Sequence, residues 1–277
     1  VQSSYPAATA FTRGQEGGYT DDARDSGNWS SGEVGVGELI GSNLGCGAPA
    51  TIAYMATVQP GFVVTAAWMK ALPQTVYDGM ASTLYWMPLA CPFLPAGLDA
   101  VCFDFGWNTG VASAAKRLQW VVGATQDGEI GPATLAAVAS CSLALLAAAL
   151  TPEDAAILQR LLGVSADGRV GPRTLAALAA SGGALRAQTL ILALGEAQEV
   201  YYRGLANFSI YGQGWLNRTV ARVEVGRSLA GSLVPEAAAF YAPERRAVPA
   251  IEPPDAPIWA PFKPGVPILA QAGLYVS

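Results

Sequence analysis

The chain has 277 residues, 52% of them hydrophobic and only 13% charged, with a formal net charge of −5. That composition excludes a disordered chain, permits a sizeable core, and offers none of the basic surface of a nucleic-acid binder. There is no histidine, which removes Ser-His-Asp and Cys-His catalysis and the commonest zinc ligand, so acid–base chemistry falls to carboxylates.

In chain order, a helical start leads to Glu16, which is followed at once by Gly17, Gly18 and Tyr19. Loops rich in Gly, Asn and Ser occupy 26–49. Helical patterns follow at about 61–72 and 74–86. The stretch Leu94 to Asn108 reads as a turn entering a helix, with Pro95 suited to the first turn. The apolar run Leu135 to Leu150 is too short for a membrane span and reads as buried helix interrupted near Ser140–Ser142. Residues 184–232 read as amphipathic helix, with Leu190, Leu194, Ala197 and Tyr201 on one face. Cys46, Cys91, Cys102 and Cys141 form no CxxC pair, so a zinc ribbon or redox motif is not expected. In so apolar a chain they read as small buried residues; a Cys91–Cys102 disulfide is the alternative nearest in sequence.

Two segments match at an offset of 40 positions: Leu118-Gln119 with Leu158-Gln159, Gly123 with Gly163, Asp127-Gly128 with Asp167-Gly168, Gly131-Pro132 with Gly171-Pro172, and Thr134-Leu135-Ala136-Ala137 with Thr174-Leu175-Ala176-Ala177. Each unit, about 115–139 and 155–179, predicts a helix ended by a left-handed glycine, an Asp-Gly turn, and a second helix opened by Gly-Pro. Turn chemistry is the expectation for both Asp-Gly pairs, because the further oxygen ligands of a calcium loop are missing. Thr151-Pro152-Glu153-Asp154 is another helix start, with a capping hydroxyl and first-turn acids. Beyond Val234 prolines recur too densely for helix or central strand, predicting an extended tail that packs on its own domain or docks on a partner.

Glycoside hydrolysis needs two carboxylate-class groups about one bond. Glu16 has two glycines beside it, leaving room for a substrate, and Asp25 lies nine positions on. Spacing alone equally allows Glu16 to pair locally and Asp25 to cap a turn. The ordered series decides more. Glu16-Gly17-Gly18-Tyr19, Asp25, Asn28-Trp29, Gly41-Ser42-Asn43-Leu44-Gly45, Tyr85-Trp86, Leu94-Pro95-Ala96-Gly97-Leu98, Phe103-Asp104-Phe105 with Asn108 and Gly110, Leu118-Gln119, Asp127 to Pro132, and Gly214-Trp215-Leu216-Asn217-Arg218 together resemble glycoside hydrolase family 108, the N-acetylmuramidases of phages and bacteria. The resemblance spans about residues 8–222. A longer Asn28–Gly41 insert, Cys46 in place of an aliphatic residue, and the second 40-residue unit depart from the family's simpler plan.

The resemblance implies a mainly α, lysozyme-like catalytic domain (1–110), a helical peptidoglycan-binding region (111–232) and the Pro-rich tail (233–277). It implies that Glu16 is the general acid that protonates the bond between N-acetylmuramic acid and N-acetylglucosamine, in a partly apolar surround. Asp25 takes the second carboxylate role, and Ser42, where many members carry threonine, positions water. Tyr19, Trp29, Trp86, Asp104, Trp107 and Asn108 are the expected substrate contacts; core packing is the competing reading for the aromatics, and is favoured for Tyr85, while a buried polar pair competes for Asp104 and Asn108. No metal or organic cofactor is implied. The expected partner is the peptidoglycan glycan strand, with no nucleic acid and no membrane span. The expected setting is the periplasm or cell wall, as in phage-type endolysins. Two rival readings stand beside this one: a lytic transglycosylase, which uses one Glu and no activated water, and a virion-associated tail or baseplate protein that keeps the lysozyme-like fold and docks through its tail.

Overall fold

A computed structural model of the chain describes residues 4–181 and 183–231; the Pro-rich tail expected at 233–277 lies outside the described residues. Twelve α-helices are formed among them, with no named strand. The chain divides into two compact units, Tyr5–Pro88 and the part from Leu89 onward, to which Ser4 also belongs.

The first unit opens with α1 (Tyr5–Gln15), whose inner face buries Ala8, Thr9 and Thr12. The hydroxyl of Tyr5 donates to the carbonyl of Asp78, holding the helix start against α4 (Gln74–Ala81). Residues 16–47 form a looped excursion rather than a sheet. Its organisation comes from isolated antiparallel bridges at Thr20–Ser42, Trp29–Leu39 and Asn43–Cys46. Asn28, wholly buried, is the hinge pin: its carbonyl accepts from the backbone N–H groups of Ile40 and Gly41, and its amide nitrogen donates to the carbonyl of Asp22 at 3.0 Å. Then come α2 (Ala48–Val58), entered through Pro49, the short α3 (Ala66–Lys70) capped by the Thr65 hydroxyl, and α4. A π-helical turn, Ser82–Trp86, extends α4. Ile40, Cys46, Met55, Met69, Tyr77, Met80 and Trp86 are its buried core.

Helix α2 is absent from the sequence reading, which ended its loop region at 49. The first of the patterned stretches is shorter than expected: residues 61–65 precede the Thr65 cap, and only 66–70 are helical.

The second unit is built around α5 (Leu98–Thr109), in which Leu98 to Gly106 are all buried. It is followed by α6 (Val111–Val122), α7 (Pro132–Ser140), α8 (Leu143–Ala148), α9 (Pro152–Leu161) and α10 (Pro172–Ala179). The expected interruption near 140–142 falls between α7 and α8, where the Ser142 hydroxyl caps α8. The amphipathic stretch 184–232 is two helices, not one: α11 (Gly183–Arg203) and α12 (Phe208–Leu229). The break has a local cause. Gly204 and Leu205 donate three residues back, to Tyr201 and Tyr202, which tightens and ends α11, and Asn207 starts the next helix. So short a link makes the two helices antiparallel neighbours; Gln188 on α11 accordingly donates to the carbonyls of Arg227 and Gly231 at the far end of α12. Helix α12 also lies close on the turn before α5: a Cβ at Gly97 would stand 2.0 Å from the carbonyl oxygen of Gly226, so only glycine fits.

The two matching segments carry the same set of hydrogen bonds. Gln119, buried, donates through Nε2 to Asp127 Oδ1, the Glu129 carbonyl and Thr134 Oγ1, and accepts from the N–H of Gly128. Gln159 does the same to Asp167, the Arg169 carbonyl and Thr174, and accepts from Gly168. Gly123, Gly128, Gly163 and Gly168 are all left-handed. A packed cluster of Ala147, Ile157, Leu158, Leu161, Leu178, Leu185 and Leu192 ties this region to α11. All four cysteines are buried free thiols. Among the described residues, no helix is long and apolar enough to cross a membrane, and no group of His, Cys, Asp and Glu side chains could hold a metal ion.

Candidate active site

Glu16 stands on the residue after α1, its N–H donating to the Arg13 carbonyl at 3.3 Å, and is half-buried. A Cβ at either Gly17 or Gly18 would meet nothing within 4 Å. The carboxylate thus emerges beside open space, as the Gly-Gly pair leads one to expect. Cys46 and Tyr85 sit close enough to feel it. Burial pushes the Cys46 thiol up to about 12, with the Glu16 charge adding to the rise. Burial also raises Tyr85, with further contributions from Cys46 and Glu16. Glu16 thus has two weakly acidic side chains near it, one buried and one half-buried.

Tyr19 turns back over the loop. Its hydroxyl donates to the Ile40 carbonyl at 3.0 Å, and its ring covers Gly41, where a Cβ would stand 2.6 Å from the ring and where φ is +86°. Lys70 Nζ lies 4.8 Å from the centroid of the same ring. The reciprocal backbone pair between Thr20 and Ser42, 2.9 Å each way, fixes Ser42 beside Thr20, and the buried Asn43 donates to the carbonyls of Met69 and Lys70. Asp25 caps the tight turn Ser26–Asn28: its Oδ1 accepts from the Gly27 N–H at 2.9 Å. That turn sets Asn28, and Asn28 sets Ile40 and Gly41. Asp25 is thereby linked through backbone to Ser42. Trp29 is half-buried and spends its indole N–H on the Ala23 carbonyl.

Other expected contacts sit elsewhere. Trp86 is 5% exposed and packs edge-on against Tyr5 at 5.1 Å, which makes it a core ring and withdraws it from any role as a stacking platform. Its neighbour Tyr85, half-buried, is the one near enough to feel the Glu16 charge. The sequence singled out the Tyr85-Trp86 pair but favoured core packing for Tyr85; the π-helical turn that decides which ring goes inward leaves no sequence signal. In the second unit, Asp104 is 1% exposed and cannot line a groove. It accepts from Arg218 Nη2 at 2.8 Å and from Arg222 Nε at 2.6 Å. Burial pushes its carboxyl up, but the Arg222 and Arg218 guanidinia outweigh that and hold it below the usual range. Asp104 is thus a structural anchor between α5 and α12. Trp107 is half-buried on Phe103, and Asn108 is exposed, its Oδ1 accepting from the Tyr202 hydroxyl at 3.1 Å. Within the first unit, then, the structure brings together Glu16, Cys46 and Tyr85, and separately Tyr19, Gly41 and Ser42; Asp104 and Asn108 belong to the second unit.

The first unit thus presents a half-buried carboxyl at the edge of an open loop. Residues 9–110 match the glycosyl hydrolase 108 family, and residues 153–220 match a family described as a predicted peptidoglycan domain. On these two matches the chain is a peptidoglycan-degrading glycoside hydrolase. It is similar to the solved structure of Brucella abortus SagA, with 26% identity and a TM-score of 0.52 over 82% of this chain and 96% of that one. A comparison with curated proteins found no match.

Proposed function

We propose that the chain is an N-acetylmuramidase that hydrolyses the bond between N-acetylmuramic acid and N-acetylglucosamine, with Glu16 as general acid. The observation that carries this reading is the setting of Glu16: a half-buried carboxyl after a helix end, near Cys46 and Tyr85 and flanked by the open space over Gly17 and Gly18. Glu16 gives its proton to the glycosidic oxygen as the bond to the anomeric carbon breaks. Water adds to that carbon through an oxocarbenium-like transition state, and its proton leaves to a carboxylate. Asp25 is the second carboxylate, held in place by its cap to Gly27, and Ser42 positions the water. Tyr19, Trp29 and Tyr85 border the sugar. Residues 1–110 act as the catalytic domain and 111–232 as the wall-binding region. The setting is the periplasmic cell wall in the phage-type manner, for which the motif series is the support.

One observation favours a second reading. Asp25 already spends one carboxylate oxygen on its turn, which suits a lytic transglycosylase that needs Glu16 alone. Digestion of purified peptidoglycan in water labelled with heavy oxygen separates the two. A hydrolase puts the label on a new reducing muramic end; unlabelled 1,6-anhydro ends would identify the transglycosylase, and a new reducing glucosamine end would contradict the proposed bond.

A further inference from the structure

The Gly214-Trp215-Leu216-Asn217-Arg218 motif is not absorbed by the catalytic site. Burial divides it: Leu216 is buried, Trp215 and Arg218 are half-buried, and Gly214 and Asn217 are exposed. Leu216, with Arg218 on the buried Asp104, points inward. Half-buried Trp215 belongs to a run of rings: it stacks on buried Tyr202 at 5.3 Å and 20°, and Tyr211 lies beside it at 5.8 Å, tilted by 41°. Tyr211 is 56% exposed, and Ile210 beside it 71%. One turn further on is Gly214, where a Cβ would meet nothing within 4 Å, so the outer face of α12 has a notch between an aromatic shoulder and the exposed amide of Asn217. Exposed Asn108 adds a second amide: its Oδ1 accepts from the hydroxyl of Tyr202, the ring on which Trp215 stacks.

We infer that this face of α12 is a non-catalytic glycan-holding site for the N-acetylated amino-sugar backbone of peptidoglycan. Ring faces receive the C–H faces of pyranoses, and fixed amides pair with hydroxyl and acetamido groups, so an apolar shoulder with a few placed polar groups suits a saccharide. Charge selects the backbone over the peptide stems. The fourteen residues from Gly204 to Asn217 contain no Asp, Glu, Lys or Arg, which matches an uncharged acetamido-sugar strand and not the carboxylates and ammonium groups of a stem peptide. These residues fall in the segment that matches the predicted peptidoglycan domain. The inference rests on the reading that the chain acts on peptidoglycan, and it adds the residues and the part of the polymer they hold.

The test uses the full chain carrying Glu16→Gln, to stop digestion, sedimented with insoluble peptidoglycan and, separately, with bead-bound glycan strands stripped of peptide by an amidase, their freed lactyl carboxyls blocked again as methyl amides. Two further variants are added singly: Tyr211→Ala removes the shoulder, and Gly214→Leu fills the notch at an exposed helix position where leucine favours the helix. Both are expected to keep the parent's circular dichroism and to bind either polymer about ten-fold more weakly, while the parent binds stripped strands as well as whole peptidoglycan. Unchanged binding by both variants overturns the site and leaves the peptidoglycan reading standing. Loss of the parent's binding on removal of the peptides assigns recognition to the stems and overturns the proposal. A parent dimer by light scattering that Tyr211→Ala dissociates assigns the face to a second copy and likewise overturns it. A parent that fails to sediment even with whole peptidoglycan overturns the wider reading itself.

Discussion

At Asp25 a single side chain stands between two roles that substitution can separate. Its Oδ1 caps the Ser26–Asn28 turn, and a serine at that position can cap equally well without a carboxylate. Asp25→Ser should therefore keep the melting temperature of the parent and lose about 10²-fold or more in hydrolysis. Asp25→Ala should lose the cap as well, at a cost of about 1 kcal/mol in denaturant unfolding. Full activity in the serine variant would reduce Asp25 to a loop-holding residue. Tyr85 gives a second check at this scale: Tyr85→Phe keeps the ring near Glu16 and removes its hydroxyl, so most activity should persist, whereas Tyr85→Ala removes the ring and should slow the reaction. The open surround of Glu16 could be read from Gly17-Gly18. The exchange of Trp86 for Tyr85 could not, because a π-helical turn shifts the facing of a residue pair by an amount that hydrophobic periodicity does not register.

Helix ends in the second unit are where sequence and structure agree most closely. Left-handed Gly123 and Gly163, Gly-Pro starts at 131–132 and 171–172, and the Thr151 cap all act locally, through backbone conformation and one hydrogen bond, and such signals survive in any tertiary context. Helix α2 and the break at Gly204–Asn207 were less legible: α2 begins inside Gly-rich sequence, and apolar periodicity runs straight through the break. Gln119 and Gln159 were visible as matching letters, but not as the buried hubs of two turns. Each Gln→Ala substitution leaves a turn amide and a threonine hydroxyl short of partners, so each should cost about 1–3 kcal/mol in chemical denaturation. A pH effect belongs here too. Burial, with the neighbouring Asp154 charge, raises Glu196 to about 8 from 4.5, and its Oε1 accepts from the Thr151 N–H that opens α9. Between those two values the folded chain keeps a proton that the unfolded chain has lost, so stability falls as pH rises through the window. Glu196→Gln should flatten that slope and melt higher than the parent at pH about 8; parallel melting curves for the two proteins from acid to alkaline pH would contradict it.

At the scale of the whole molecule, charge is sparse and its placement matters. Asp104 joins α5 to α12 through Arg218 and Arg222, and Arg222, itself 1% exposed, also donates to Gln198 on α11. Breaking a buried pair from one side leaves guanidinium charge without its counterion, so Asp104→Asn should lose about 3–5 kcal/mol. The folded carboxyl is held below its ordinary range, so its contribution is full above the unfolded pKa of about 3.9 and fades as pH falls beneath it; the gap between parent and variant should close in strong acid. The spacing of Asp104 and Asn108 on one helical face was legible, but the arginines more than a hundred positions away were not, which is why a groove contact and an anchor looked alike. Glu16 lies in the first unit, and the segment that matches a predicted peptidoglycan domain lies in the second. The proposed chemistry rests on Glu16. Its most direct test is the rate at which Glu16→Gln releases soluble fragments from purified peptidoglycan, alongside a melting curve. The role of Glu16 as general acid predicts a loss of about 10²–10⁴-fold with an unchanged melting temperature. A correctly folded variant with near-normal activity would contradict it.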